Sequence, residues 1–210
     1  SVLLEVLENC KERDVTFNFI SSWFVYGDTN LPAREDSICN PAGFYSITKR
    51  CAEQLIVSFC KTFDKSYRIL RLSNVYGSSD PGAGKKKNAL QFLIENMKDD
   101  LDVDLYHGGE FIRDYLHVND VCDAIKLVMN ESSANDVINV GSGTPYRFID
   151  LINLARKILN SGSKINKINP PEFHKIVQVK DMFLDVEKLK ALGFQPKVSI
   201  DEGIKELCQI

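Results

Sequence analysis

Short apolar runs alternate along this chain with longer segments whose apolar residues recur every three or four positions. Val15–Ile20 (VTFNFI) and Tyr67–Leu72 (YRILRL) are β-rich and strand-sized. Residues 2–13, 44–63, 88–97, 118–129 and 148–159 carry the helical period. In the longest of these helices Ile47, Cys51, Leu55 and Phe59 share one face. Further short strands are predicted at 103–106, 111–116 and 137–140, and short helices near 185–191 and 199–208. Residues 21–43 and 73–87 are predicted as loops, residues 141–145 as a turn, and the lysine-containing stretch after 159 as another loop. Strands alternating with helices predict an α/β fold, a mostly parallel sheet covered by helices. The second half predicts a smaller α/β unit packed near the strand ends.

Composition narrows the classes. The 210 residues are 44% hydrophobic and 26% charged, ordinary for a globular protein. A net charge of -3 gives no bulk electrostatic case for binding nucleic acid or an anionic membrane. Lys85-Lys86-Lys87 is the only basic cluster. It is read as a solvated loop, with attraction of a phosphate-bearing substrate left open. No apolar run approaches the roughly 18 residues of a membrane span. The first residues carry too many charges (Glu5, Glu8, Lys11, Glu12) for a signal peptide. The six cysteines, at 10, 39, 51, 60, 122 and 208, form no C-x-x-C pair and no Cys/His cluster, so no metal site is predicted. They are read as reduced thiols of a cytoplasmic protein, most of them small core residues.

The chemistry gathers in a few places. Tyr45 and Lys49 are four residues apart, so they sit one helical turn apart on one side. An ammonium beside a phenol stabilises the phenolate, which lets tyrosine exchange a proton near neutral pH. Ser22 follows the first strand at the place where open α/β sheets bind ligands, although a Ser-rich turn is the plain alternative. Ser73 and Asn74 follow the second strand in the same way, and Asn74 is equally a turn cap. Arg113 lies in a short apolar strand and needs an anionic partner if buried. That partner is either Asp114 or a diphosphate, whose oxygens match the guanidinium fork. His107 and His117 are read as structural, and Asn119-Asp120 as a helix start.

In this order the segments FISSWFVYG, YSITK, LRLSNVYG, IRDYLHVNDV and INVGSG resemble the extended short-chain dehydrogenase/reductase family. Within it they match the NAD-dependent epimerase/dehydratase group acting on nucleotide sugars, and LDVEKLKALGFQPKVSIDEGIKEL resembles its closing segment. The resemblance covers nearly the whole chain. It implies the C-terminal part of a Rossmann-like doubly wound parallel sheet over residues 1–77, carrying the catalytic residues. Residues 78–210 would form mainly a smaller substrate-binding domain, with some segments returning to the sheet.

The resemblance also implies roles. Tyr45 matches the catalytic base, Lys49 the residue that lowers its pKa and bonds the nicotinamide ribose, and Ser22 the hydroxyl that orients the reacting oxygen. Ser73 matches a contact at the nicotinamide end; Asn74, Asn88 and Arg113 match contacts to the nucleotide sugar, Arg113 at its diphosphate. The implied cofactor is NAD, with NADP left open. The implied activity is C4 epimerisation of a nucleotide sugar, in polysaccharide biosynthesis. Where the family's 4,6-dehydratases carry Asp-Glu, this chain has Trp23 and Phe24, which transfer no protons. That favours an epimerase or a 4-keto-sugar reductase over a dehydratase. The family's glycine-rich turn is absent, Phe148 replaces a Ser or Thr, and R-x-G-D is not evident near Lys175–Asp181. The expectation is therefore a fragment starting inside a helix, with a non-catalytic binding protein as the alternative. A homodimer is implied through helices 2–13 and 44–63, with Ile56 and Phe63 as candidate contacts.

Overall fold

The computed structural model describes residues 2–78, 88–177 and 179–209; the Lys85–Lys87 cluster lies outside them. In chain order the first half holds α1 (Val2–Asn9), β1 (Thr16–Ser22), α2 (Phe44–Thr62), β2 (Ser66–Leu72), β3 (Asn74–Tyr76) and α3 (Ala89–Lys98). There follow β4 (Val103–Tyr106), β5 (Ile112–Arg113), β6 (Tyr115–His117), α4 (Val118–Glu131), β7 (Asp136–Val140) and β8 (Tyr146–Arg147). The chain closes with α5 (Phe148–Leu159), β9 (Ile165–Ile168), α6 (Glu172–Val177), α7 (Glu187–Ala191) and α8 (Ile200–Gln209).

The principal sheet is parallel, in the order β1-β2-β7. Side chains alternate across it. Tyr67 and Ile69 of β2 meet Leu7 of α1 and Ile56 and Cys60 of α2 on one face. Leu70 faces the other way, with Ile138 and Val140 of β7 and Val121, Ala124 and Val128 of α4. A second core joins α3, α5 and α8 around Leu90, Ile94, Ile152 and Ile204. Among the described residues three two-stranded pairings accompany it, β3-β6 and β4-β9 parallel and β5-β8 antiparallel. The mixed α/β architecture is the one expected.

Several local expectations change. The strand expected at 111–116 is two, because Asp114 between β5 and β6 turns its side chain into the Ser142–Gly143 turn. Strands β3 and β9 and helix α6 fall where loops were expected, and β8 lies between the expected turn and helix. Helix α2 also presents the opposite face: Ile47 and Leu55 are exposed and so is Cys51, whereas Ser46, Glu53, Ile56 and Cys60 are buried. Ile56, at 2% exposed, is a core residue and not a surface contact. All six cysteines are free, but Cys51 and Cys122 are exposed and only Cys60 is buried, so the core reading holds for a minority.

Candidate active site

The register sets the site. Ser22 lies opposite Leu72, and Leu72 opposite Val140, so three chain segments leave the sheet at one edge. Ser22 is extended and its Oγ accepts from the Phe24 amide at 3.4 Å, capping a single 3-10 turn over Trp23–Val25. Trp23 stacks on Phe24 with centroids 3.8 Å apart. Phe24 in turn meets the Tyr45 ring edge-on at 6.0 Å.

Tyr45 is the second residue of α2 and is 56% exposed, so its phenol is accessible to a ligand. One turn on, the Lys49 ammonium lies 5.9 Å from the centre of the Tyr45 ring and 5.0 Å from that of Phe19. It donates to the Ile20 carbonyl at 2.7 Å. Burial pulls the Lys49 pKa down, with the Glu53 carboxylate pulling it up. Ser22, Tyr45 and Lys49 thus converge around the end of β1.

Ser73 follows β2 directly and its amide donates to Val140 at 2.8 Å. Its hydroxyl is buried with no partner among the described residues. Asn74 turns both its amide and its Nδ2 to the Asp114 carbonyl, at 3.0 and 2.9 Å.

Arg113 is 5% exposed. Its guanidinium donates to the carbonyls of Ile112, Val179 and Lys180 at 2.6–2.8 Å and lies against the rings of Phe111 and Trp23. Burial lowers its pKa. Asp114 is not its partner: that carboxylate accepts instead from Ser142, Gly143 and the Leu184 amide, and burial raises its pKa. No carboxylate is in ion-pair contact with Arg113 among the described residues. Asn88 stands apart. It takes a left-handed conformation (φ 47°), and its Oδ1 accepts from the Gln91 amide at the start of α3. His117 caps α4 through Nδ1, which accepts from the Asn119 amide at 3.3 Å, so the helix begins at Val118 as its period predicts, with Asn119 and Asp120 in its first turn.

Sequence reasoning missed a buried polar network behind this edge. Glu53, 1% exposed, accepts from Ser21 Oγ at 2.5 Å, from Arg71 at 3.1 and 2.8 Å, and from Arg50 at 2.8 Å. Arg71 also donates to the Glu35 carbonyl and lies over the Tyr26 ring, whose hydroxyl donates to Asn139 at 2.6 Å. Burial alone would raise Glu53, but the Arg71 hydrogen bonds and charge hold it below the usual carboxylate value. The available signal was spacing: Tyr45, Lys49 and Glu53 recur every four residues along α2.

A serine, a tyrosine and a lysine thus gather at the carboxyl end of a parallel sheet, the place where open α/β folds take ligands. The chain belongs to the NAD dependent epimerase/dehydratase family, whose pattern matches residues 1–141. A putative UDP-glucose 4-epimerase of Methanocaldococcus jannaschii is 28% identical over 97% of this chain and 66% of its own length. The dTDP-4-dehydro-6-deoxyglucose reductase of Escherichia coli is 27% identical over 87% of the chain and 57% of its own length. Among solved structures, the Thermotoga maritima UDP-glucose 4-epimerase with UDP-glucose matches with a TM-score of 0.87 at 29% identity, covering 99% of this chain and 67% of that one. The chain therefore spans less than two thirds of the length of the curated relatives it matches.

Proposed function

We propose that this chain carries the acid/base residues of a nucleotide-sugar 4-epimerase. The observation that carries the reading is the convergence of Ser22, Tyr45 and Lys49 at the strand edge beside an apolar Trp23-Phe24 stack, with no acid in that stack. The Tyr45 phenolate takes the proton of the sugar C4 hydroxyl and later returns it. Lys49 stabilises that phenolate, and the Ser22 hydroxyl orients the reacting oxygen. The solved relatives include a Bacillus cereus UDP-glucuronic acid 4-epimerase with NAD, at a TM-score of 0.89 and 25% identity.

The residues present fit NAD at its nicotinamide end: the Ser73 hydroxyl, one residue past the Leu72 that pairs with Ser22, is buried without a partner among the described residues. NAD, when bound, supplies the hydride acceptor and donor. Ser22, Tyr45, Lys49 and Ser73 would hold it. Arg113, a buried cation met by carbonyls and rings among the described residues, is assigned to a diphosphate. Asn74 and Asn88 are assigned to the rest of the nucleotide sugar, within a substrate-binding part spanning 78–210 and a catalytic part spanning 1–77.

The exposed apolar residues of α2 (Phe44 86%, Ile47 47%, Leu55 36%) and of α1 (Val2 77%, Leu4 50%) support a homodimer through these two helices. Six free thiols support a cytoplasmic location, and no helix among the described residues is long and apolar enough to cross a membrane.

The test uses the protein expressed from its complete reading frame with UDP-, dTDP-, GDP- and CDP-sugars. Interconversion of C4 epimers without net change in NADH supports the reading. No turnover of any of them sinks it. A second reading, a 4-keto-sugar reductase, is favoured by the E. coli relative. Net consumption of NAD(P)H would select it.

A further inference from the structure

The carboxylate of Glu53 is the only side chain in the described hydrogen-bond network that touches both the helix of Tyr45 and Lys49 and the ends of β1 and β2. Side-chain alternation explains how it gets there. Ser21 continues the face of β1 that carries Phe17 and Phe19, and Arg71 continues the face of β2 that carries Tyr67 and Ile69. On α2, Glu53 lies one turn before Ile56 and two before Cys60, along the buried stripe. Apolar packing holds the helix on the sheet as far as Ile56. At the carboxyl edge, where the site begins, an ion pair takes over. Oε1 accepts from Ser21 and Arg71, and Oε2 from Arg71 and Arg50.

We propose that Glu53 is a positioning residue: one buried carboxylate that locks the Tyr45–Lys49 stripe against the Ser22 turn. The proposal rests on the catalytic reading of those three residues. Ser21 is the residue before Ser22, and Arg71 is two residues before Ser73, so loss of this anchor lets the helix and both strand ends move independently. The purely structural alternative is that the ion pair only stabilises the fold, a contribution that buried pairs often fail to make.

Two variants separate these. Glu53→Gln keeps the shape but turns an amide donor toward guanidinium donors. Ser21→Ala removes one hydrogen bond and serves if Glu53→Gln does not fold. Arg68→Met, which breaks the bonds of Arg68 to Ser132 at the opposite end of β2, is the control. In the protein from the complete reading frame, Glu53→Gln should lower kcat about 10–100-fold with KM within about twofold, the signature of misplaced groups. Ser21→Ala should follow in the same direction. Amide exchange over residues 22–26, read by mass spectrometry, should rise about tenfold in both variants and not in Arg68→Met. Unchanged exchange over 22–26, or an equal rise in Arg68→Met, overturns the proposal. So does a loss of stability with kcat unmoved. Should the unaltered protein turn over no nucleotide sugar, the functional reading fails, and exchange over 22–26 still decides whether Glu53 holds the turn.

Discussion

The ammonium of Lys49 donates to the carbonyl of Ile20 at 2.7 Å, two residues before Ser22. Through this bond the helix that carries Tyr45 meets the strand that ends in Ser22. It also holds the cation 5.9 Å from the centre of the Tyr45 ring. Removing the phenol should therefore abolish proton transfer without disturbing the fold. Tyr45→Phe is expected to lose about 10²–10⁴-fold in kcat. Because Tyr45 is 56% exposed, its melting temperature should barely change. Retained turnover in Tyr45→Phe would remove the residue from the mechanism.

Arg113 offers a second test. Its three carbonyl partners and two ring neighbours leave a buried cation without an ion pair among the described residues. A diphosphate would supply the missing charge through hydrogen bonds worth about 1.5–3 kcal/mol. Arg113→Met should weaken UDP binding by at least about tenfold in calorimetry. An Arg113→Met protein that is destabilised but binds UDP as tightly as before would make the arginine structural.

Alkaline pH probes the network behind the site. Burial raises the Tyr26 phenol from 10.0 to about 12. The folded protein thus holds this proton more tightly than the unfolded chain. Its contribution to stability is complete below pH 10 and is lost as the pH rises through 12. Burial moves Tyr76 and Tyr115 in the same direction. The melting temperature should fall steeply across this window, and Tyr26→Phe should flatten part of the fall. An identical pH dependence in Tyr26→Phe would contradict the assignment.

The two faces of α2 make opposite predictions. Ile56 is packed with Leu7, Cys60, Tyr67 and Ile69, so Ile56→Ala should cost about 2–5 kcal/mol. Ile47 is 47% exposed, so Ile47→Ser should leave stability nearly unchanged and shift the protein from dimer toward monomer in sedimentation. A monomer before any substitution would dismiss the dimer.

The order of strands and helices was legible in the sequence because the main elements carry their periods openly. The nearness of Lys49 to Tyr45 was legible because the two share a helix turn. The inward face of α2 was not. Ile47, Cys51 and Leu55 form an apolar stripe, yet the helix buries Glu53, whose partner Arg71 is 18 residues away. Period alone identifies a helix and not the partner that selects its face. β9 was hidden for a related reason. Its INKI sequence is polar at its centre and is fixed as a strand only by pairing with β4, some sixty residues earlier (Val103 with Ile165). The same pairing logic gave Asp114, adjacent to Arg113, to a distant turn and left the arginine to carbonyls.

The most direct test of the central claim follows deuterium placed at C4 of the nucleotide sugar that the protein from the complete reading frame accepts. The account predicts C4 epimers that retain the label at C4, with no net NADH formed or consumed and with the reaction lost in Tyr45→Phe. Label lost to solvent, or stoichiometric consumption of NAD(P)H, would contradict it.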